Sequence, residues 1–515
     1  MWLPGFGPDE DPLESLGSDE QVESVPIPAA PVLERDPPRS TWERLDRAVF
    51  SDLTGEVTKY LANVKAIALV RELEAAGRTP TADERRTLKR YTGWGGLPNA
   101  FNEEQSDLAW VGRSRELREL LGDSEYVSAK DSTPNAHYTS LEVIEAMWSM
   151  VQRLGFRGGR ILEPAAGVGY FLGGMPAEIA QRSQITAVEL DQLSARMLKA
   201  LYGAHGVSIT QGAFEGVRLP EGFFDLAIGN VPFGNYKVAE MRNVAYQDFL
   251  IHDYFFAKAL ELVRPGGLVV FITSSGTLDK QDERVREYLA SKATLVAATR
   301  LPESTFQAIA NTSVTTDIVI LRKPLAARES SSSWMELAQI PKDSPLYGGD
   351  AYYYHLEWKM RANEYFVQHH PDRVIGKLQL VDNGYDKSVG CVFEGDLEAA
   401  LAGQVDSLPA GLYAEREAVK IEPARATRDL APGDNRLGFR VVDGQLFECD
   451  GEKLLSVEVP AAKLARIEGL VGIRDAARAL VEAQPVTDSD ADLVPLRERL
   501  NALYDAFAEQ FGCIS

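Results

Sequence analysis

The stretch Leu162-Glu163-Pro164-Ala165-Ala166-Gly167-Val168-Gly169-Tyr170-Phe171-Leu172 decides the fold of this chain. It follows a short apolar run and opens into residues of helical spacing, so it reads as the loop between a strand and a helix. Its two glycines let the backbone approach a ligand closely, and the acid ending the strand accepts hydrogen bonds from hydroxyl or amino groups. The third glycine of a dinucleotide fingerprint and the lysine of a phosphate-binding loop are both missing, which argues against a pyrophosphate or a triphosphate ligand.

Outward from this loop, short apolar strands alternate with amphipathic helices. The strands are expected at 160–163, 185–189, 207–211, 224–229, 268–273, 295–301 and 316–321. Seven strands with helices between them predict an α/β domain with a mostly parallel sheet covered on both faces. The second strand ends about 26 residues after the first, in Val188-Glu189-Leu190-Asp191, where an acid holds the ribose hydroxyls of a nucleoside. Acids at two successive strand ends suit a neutral-to-cationic adenosyl ligand better than a phosphate.

The fourth strand runs into Gly229-Asn230-Val231-Pro232-Phe233-Gly234. An exocyclic amine on a purine is a poor nucleophile because its lone pair is delocalised into the ring. Two acceptors on its hydrogens, the Asn230 side-chain oxygen and the Val231 carbonyl, localise that lone pair toward a methyl sulfonium. Pro232 fixes the backbone so that the carbonyl stays aimed, and Phe233 offers a flat surface for an extruded base. Alone, Asn-Val-Pro-Phe is only a turn; its place after the glycine loop and the second acid makes it the candidate catalytic segment.

The flanking regions differ in composition. Residues 1–40 are acidic and proline-rich, the signature of a flexible tail. Residues 41–131 read as helical, with Val57, Tyr60, Leu61, Val64, Ile67, Ala68 and Leu73 on one face. Tyr91-Thr92-Gly93-Trp94-Gly95-Gly96-Leu97-Pro98 interrupts them with a turn that exposes or wedges an aromatic. The cofactor domain is expected over 132–325, a polar linker with four serines at 326–333, a mixed α/β accessory region over 334–460, and a helical region over 461–515. The last shows apolar spacing at Leu493, Leu496, Leu500, Leu503, Tyr504 and Phe507.

The net charge of −22 argues against a protein that simply coats nucleic acid. The acid excess lies at the two ends, however, and the middle is near neutral, with basic clusters at Arg85, Arg86, Lys89 and Arg90 and at Arg284 and Arg286 that are candidates to face a phosphate backbone. Cys391, Cys449 and Cys513 are too few and too scattered for a disulfide framework or a zinc cluster. No metal is expected; His355, His369 and His370 read as surface histidines, and Tyr352-Tyr353-Tyr354 as a strand rather than a base-stacking platform. The longest apolar run, 267–273, is far too short for a membrane span, and the start lacks the pattern of a secretory signal, so a cytoplasmic protein is expected.

The series His137-Tyr138-Thr139-Ser140, then residues 162–172, then Glu189, then Asn230-Val231-Pro232-Phe233, resembles the N6-adenine DNA methyltransferases of type I and gamma-like motif order. More narrowly it is similar to the methylase portion of very large helicase/methylase polypeptides of phages and mobile elements. In these a Tyr-Thr-Gly-Trp-Gly-Gly segment precedes the methylase, and a segment like Asn363-Glu364-Tyr365-Phe366 with His370-Pro371 follows it. The resemblance spans roughly 45–515. It implies a class I (Rossmann-like) methyltransferase fold, S-adenosyl-L-methionine as cofactor and double-stranded DNA with an adenine target as substrate. It also implies a helicase or other defence or antirestriction subunits as partners, in a bacterial host, encoded by phage or plasmid.

By the same resemblance, Tyr138 and Thr139 line the methionine end of the cofactor. Glu163, Pro164, Ala165, Gly167 and Gly169 form its loop, and Glu189 with Leu190 holds the ribose. Gln211, Ala213 and Phe214 stand where a third-strand acid usually reads the adenine; Gln211 or a backbone amide is the expected substitute, with Phe214 stacking. Valine replaces the usual first proline of the catalytic tetrad, but only its carbonyl is needed. Other readings stay open: the same tetrad serves RNA adenine and protein glutamine, and a fold of this kind also serves as a non-catalytic module that binds DNA or a partner.

Overall fold

The protein's structure, a computed structural model, describes residues 42, 44–133, 139–238, 243–306, 314–325, 333–349, 356, 358–382, 387–413, 427–429, 438–449, 453–457, 459–484 and 490–512. Outside these lie the acidic stretch 1–40, His137 and Tyr138, most of the serine linker, Tyr352–354, His355 and Cys513.

All seven expected strands form: β1 (Arg160–Glu163), β2 (Gln184–Glu189), β3 (Ser208–Gln211), β4 (Phe224–Asn230), β5 (Val263–Ser274), β6 (Thr294–Leu301) and β7 (Thr316–Arg322). They make one sheet in the order β3-β2-β1-β4-β5-β7-β6, with β7 antiparallel to both neighbours. The expected mostly parallel α/β sheet is therefore present. Strand β5 starts earlier than expected because Val263 pairs with Phe224 ahead of an irregularity in the register; regular pairing begins at Leu268.

Alternate residues of each strand feed two cores. Ile161, Leu226, Ile228, Val270 and Ile320 pack on one side, and Leu162, Ala227, Val269, Phe271 and Leu321 on the other. With both faces covered, the strands read as continuous apolar runs rather than alternating ones.

The first face is covered by α1 (Glu56–Ala76), α2 (Ala82–Lys89), α3 (Leu108–Ser132), α4 (Leu141–Arg153), α5 (Tyr170–Gly174), α6 (Ala177–Gln181) and α7 (Gln192–Tyr202). The N-terminal helices are thus a layer on the sheet domain. The buried face of α1 runs through Tyr60, Asn63, Ile67, Val70 and Leu73, whereas Val57, Leu61 and Ala68 are exposed. The small residues Ala62 and Ala66 are buried on the same side and widen that face. Ion pairs tie the layer down: Arg71 to Glu125 at 2.6 Å, Arg196 of α7 to Glu125 at 2.8 Å, and Arg196 to Glu74.

The second face is covered by α8 (Ile251–Leu262), α9 (Gly276–Asp279), α10 (Arg284–Lys292) and the segment after β7. That segment docks through Asn363, whose backbone amide donates to Asp279 Oδ1 at 2.9 Å and whose side chain donates to Leu278 and Trp334 carbonyls. Arg300 lies fully buried between Asp279 (2.6 Å) and Asp317 (2.9 Å), under the Phe366 ring at 4.4 Å. The Asn-Glu-Tyr-Phe segment is thereby a clamp onto the edge of the sheet.

The described residues fall into two compact units, one within Asp36–Glu417 and one within Ala418–Ser515. The second contains a four-stranded antiparallel sheet and the helices Ala461–Ala483 and Asp490–Phe511, which pair with each other. The basic clusters do not form phosphate-facing surfaces as a group: Arg286 is buried and donates to three carbonyls, Lys89 is buried, and Arg90 and Arg284 pair with Asp52 and Asp282. His369 and His370 are exposed. Among the described residues no helix is long and apolar enough to cross a membrane.

Candidate active site

The strand order reverses between β1 and β4, so the crevice beyond their carboxyl ends is the place where such a sheet binds ligands. Glu163 ends β1 and Asn230 ends β4. A cavity of about 760 Å³ opens there.

The glycine loop is held by β2. Ala166 N donates to the Val188 carbonyl at 3.0 Å, and Gly167 N donates to Glu189 Oε2 at 2.6 Å. The other oxygen, Glu189 Oε1, accepts from Asp191 N at 2.7 Å. Two backbone amides thus fix the Glu189 carboxylate while its remaining lone pairs stay available. Burial, and next the Asp191 charge, push this carboxyl up to about 7 despite those amides. Glu163 is buried to 1% exposure, and burial together with the Glu189 charge pushes it well above the usual carboxylate range. Glu163 Oε2 has no hydrogen-bond partner among the described residues.

Most of the expected residues converge on the cavity. Thr139, Glu163, Pro164, Ala165, Gly167, Glu189, Leu190, Ala213 and Phe214 line it, and so do Asn230, Val231, Pro232 and Phe233. The Phe214 ring packs on Phe255 at 4.8 Å beneath the Lys258 ammonium at 4.6 Å, and Lys258 also donates to the Phe214 and Val217 carbonyls. Val231 is buried, and its amide donates to the Ile272 carbonyl at 3.2 Å, which locks the Asn-Val-Pro-Phe loop to β5.

Two of the expected residues sit elsewhere, and Tyr138 is outside the described residues. Gln211 is exposed and its amide donates to the Leu190 carbonyl at 3.1 Å, bracing two strand ends rather than lining the cavity. Gly169 adopts φ 88° with the Leu198 and Tyr202 side chains pressed against it. Its role is to let α5 approach α7.

Sequence reasoning missed the wall contributed by the N-terminal layer. Tyr91, Gly93, Trp94, Ser124, Val127 and Ser128 line the cavity together with the glycine loop. The aromatic of the Tyr-Thr-Gly-Trp-Gly-Gly turn is wedged, with Trp94 1% exposed. Tyr236 and Lys237, just beyond Phe233, complete the other side.

The donor set fits S-adenosylmethionine. An orphaned buried carboxylate and a second one held by amides match the ligand's ammonium and ribose hydroxyls, and an apolar slot at Phe214 matches a purine. The Asn-Val-Pro-Phe segment lines the same cavity.

Residues 177–306 match the family model of the Eco57I restriction-modification methylase. The chain is 25% identical over 479 residues to the defense against restriction protein B of Escherichia phage P1, which covers 87% of this chain and 18% of the phage protein. The chain therefore spans about a fifth of the length of that curated relative. Among solved structures, the methyltransferase subunit of a type I restriction-modification system from Streptococcus thermophilus is similar at 15% identity, over 54% of this chain and 71% of that one, with a TM-score of 0.32.

Proposed function

We propose that this chain is an S-adenosylmethionine-dependent DNA methyltransferase that transfers a methyl group to the exocyclic N6 of adenine. The observation that carries this reading is the placement of Asn230 at the end of β4, beside Glu163 at the end of β1, on the wall of one cavity. The cofactor, when bound, supplies an electrophilic methyl group on a sulfonium. The Asn230 side-chain oxygen and the Val231 carbonyl accept hydrogen bonds from the target amine and raise its nucleophilicity. Phe233 and Pro232 form the surface on which the base lies after extrusion from the duplex. The tetrad's match to the amine chemistry, and the lie of the methylase family match across it, support this substrate class.

In this reading the protein works in the cytoplasm of a bacterial host, on phage or mobile-element DNA, in protection against restriction or in host defence. A helicase or further antirestriction subunits are its partners. The name of the phage P1 relative supports the pathway.

The test is mass spectrometry of DNA and RNA nucleosides and of protein digests from cells expressing the chain. A new N6-methyladenine peak in DNA, absent with Asn230→Ala, is expected. Methylation confined to RNA or to glutamine would replace the substrate. The absence of any new mark, with purified protein that binds no cofactor, would leave a non-catalytic module.

A further inference from the structure

We propose that the loop 91–96 is a recognition wall of the cofactor cavity and that the Trp94 indole N–H donates a hydrogen bond to the carboxylate at the amino-acid end of bound S-adenosylmethionine. This rests on the cofactor reading above and adds to it a residue from outside the sheet domain.

The loop is built to a fixed shape. Asn63, fully buried on α1, accepts from Thr92 N at 2.8 Å and donates to the Gly93 carbonyl at 2.6 Å, so one side chain pins two successive residues. Gly93 takes φ 66°, a conformation that disfavours any side chain. Leu97 N closes the turn on the Trp94 carbonyl at 2.9 Å. The indole is then held edge-on by Phe101 at 5.2 Å and Tyr91 at 6.2 Å.

The loop is also fixed relative to the glycine loop. Tyr170 follows Gly169 directly, and its hydroxyl donates to the Tyr91 carbonyl at 2.9 Å. Trp94 and Gly167 therefore line the same cavity from two layers that are hydrogen-bonded to each other.

Trp94 Nε1 is buried and has no hydrogen-bond partner among the described residues. A buried donor without an acceptor is destabilising, and native structures rarely leave one unless a ligand or water completes it. Indole is a donor only. Once ionised, the cavity's acids, Glu163 and Glu189, are acceptors suited to the ligand's ammonium and hydroxyls, and they repel its carboxylate. The one anionic group of the ligand needs a neutral or cationic donor away from those acids, and Trp94 supplies one.

Calorimetry on full-length wild-type and Trp94→Phe protein tests this with two ligands. S-Adenosylhomocysteine carries the carboxylate, whereas methylthioadenosine keeps the adenosine and sulfur and lacks the amino-acid end. The substitution is expected to weaken the first about tenfold to a hundredfold and to leave the second unchanged. Equal affinities for S-adenosylhomocysteine, or equal losses for both ligands, overturn the assignment of Trp94 while leaving the cofactor reading intact. A wild-type protein that binds neither ligand overturns both. Should the variant not fold, the indole N–H resonance of Trp94 in the wild-type protein decides: a downfield shift with S-adenosylhomocysteine but not with methylthioadenosine is expected, and an unmoved resonance rejects the proposal.

Discussion

The Glu189 carboxylate accepts a hydrogen bond from the Gly167 amide at 2.6 Å, so the acid that ends the second strand also sets the shape of the loop that leaves the first. With Glu189 as the proposed ribose ligand, cofactor recognition and loop geometry are joined in one side chain.

This coupling makes binding pH-dependent. The Glu189 carboxyl, ordinarily near 4.5, is raised to about 7, chiefly by burial. A folded value above the unfolded one means that the empty folded protein holds a proton the unfolded chain has released. Stability from this group is complete below about 4.5 and is lost as pH rises through about 7. Ligand hydroxyls donate to the charged form, so affinity is expected to strengthen as pH rises through the same window, with a proton released on binding. Calorimetric titration with S-adenosylhomocysteine in buffers of different ionisation enthalpy measures that proton. Glu189→Gln is expected to bind more weakly and without it; a variant that still releases the proton would assign the titration elsewhere.

Asn230→Ala is expected to separate chemistry from binding. One acceptor aimed at developing charge contributes roughly 10²- to 10³-fold in rate, and the proposed role of Asn230 is toward the target amine rather than the cofactor. Methyl transfer to adenine should fall by that order while the dissociation constant for S-adenosylhomocysteine stays put. Loss of cofactor binding in this variant would show instead that Asn230 belongs to the cofactor subsite.

The two glycines of the loop should respond differently to the same change. A Cβ on Gly169 would sit 2.6 Å from Leu198 Cδ1 and Tyr202 Cε2 at a left-handed φ, at a cost of about 1–3 kcal/mol. Gly169→Ala is therefore expected to lower the midpoint of thermal unfolding. Gly167 also has positive φ, 55°, but it lines the cavity and donates to Glu189, so Gly167→Ala should weaken the cofactor most. Equal binding losses in the two variants would return Gly169 to the ligand site.

That pair marks where the sequence was legible and where it was not. A strand such as 268–273 is readable because sheet burial on both faces writes itself as an uninterrupted apolar run. The ends of β1, β2 and β4 are readable because chemistry there needs particular side chains at particular chain positions, and Glu163, Glu189 and Asn230 do meet. Gly-x-Gly, by contrast, does not say which glycine faces ligand and which faces a helix; only the position of Tyr202 settles it. The wall at Trp94 depends on Asn63 and Tyr170, partners far away in sequence, and no local pattern encodes a contact at that distance. In α1, spacing identified the helix and, in Tyr60, Ile67 and Leu73, part of its buried face, but not the share carried by Ala62, Asn63 and Ala66, because apolar bulk marks Val57 and Leu61 instead.

The clamp beyond the sheet gives the last test. Arg300 is fully buried, with Asp279 at 2.6 Å and both Asp317 oxygens at 2.9 Å. The pairing holds the guanidinium well above its ordinary value, the Asp279 and Asp317 charges outweighing the desolvation that opposes them. Removing one charge leaves Arg300 buried with a single acid, and breaking such a pair costs about 3–5 kcal/mol. Asp317→Asn should lower the unfolding free energy by that amount, read as a lower urea midpoint at constant slope. Because the Asn363 side chain donates to the Leu278 carbonyl and so seats its own backbone amide on Asp279, Asn363→Ala should couple with Asp317→Asn in a double-mutant cycle. Strictly additive losses would mean that the Asn-Glu-Tyr-Phe segment docks independently of the buried charges, and that Phe366 over Arg300 contributes only apolar area.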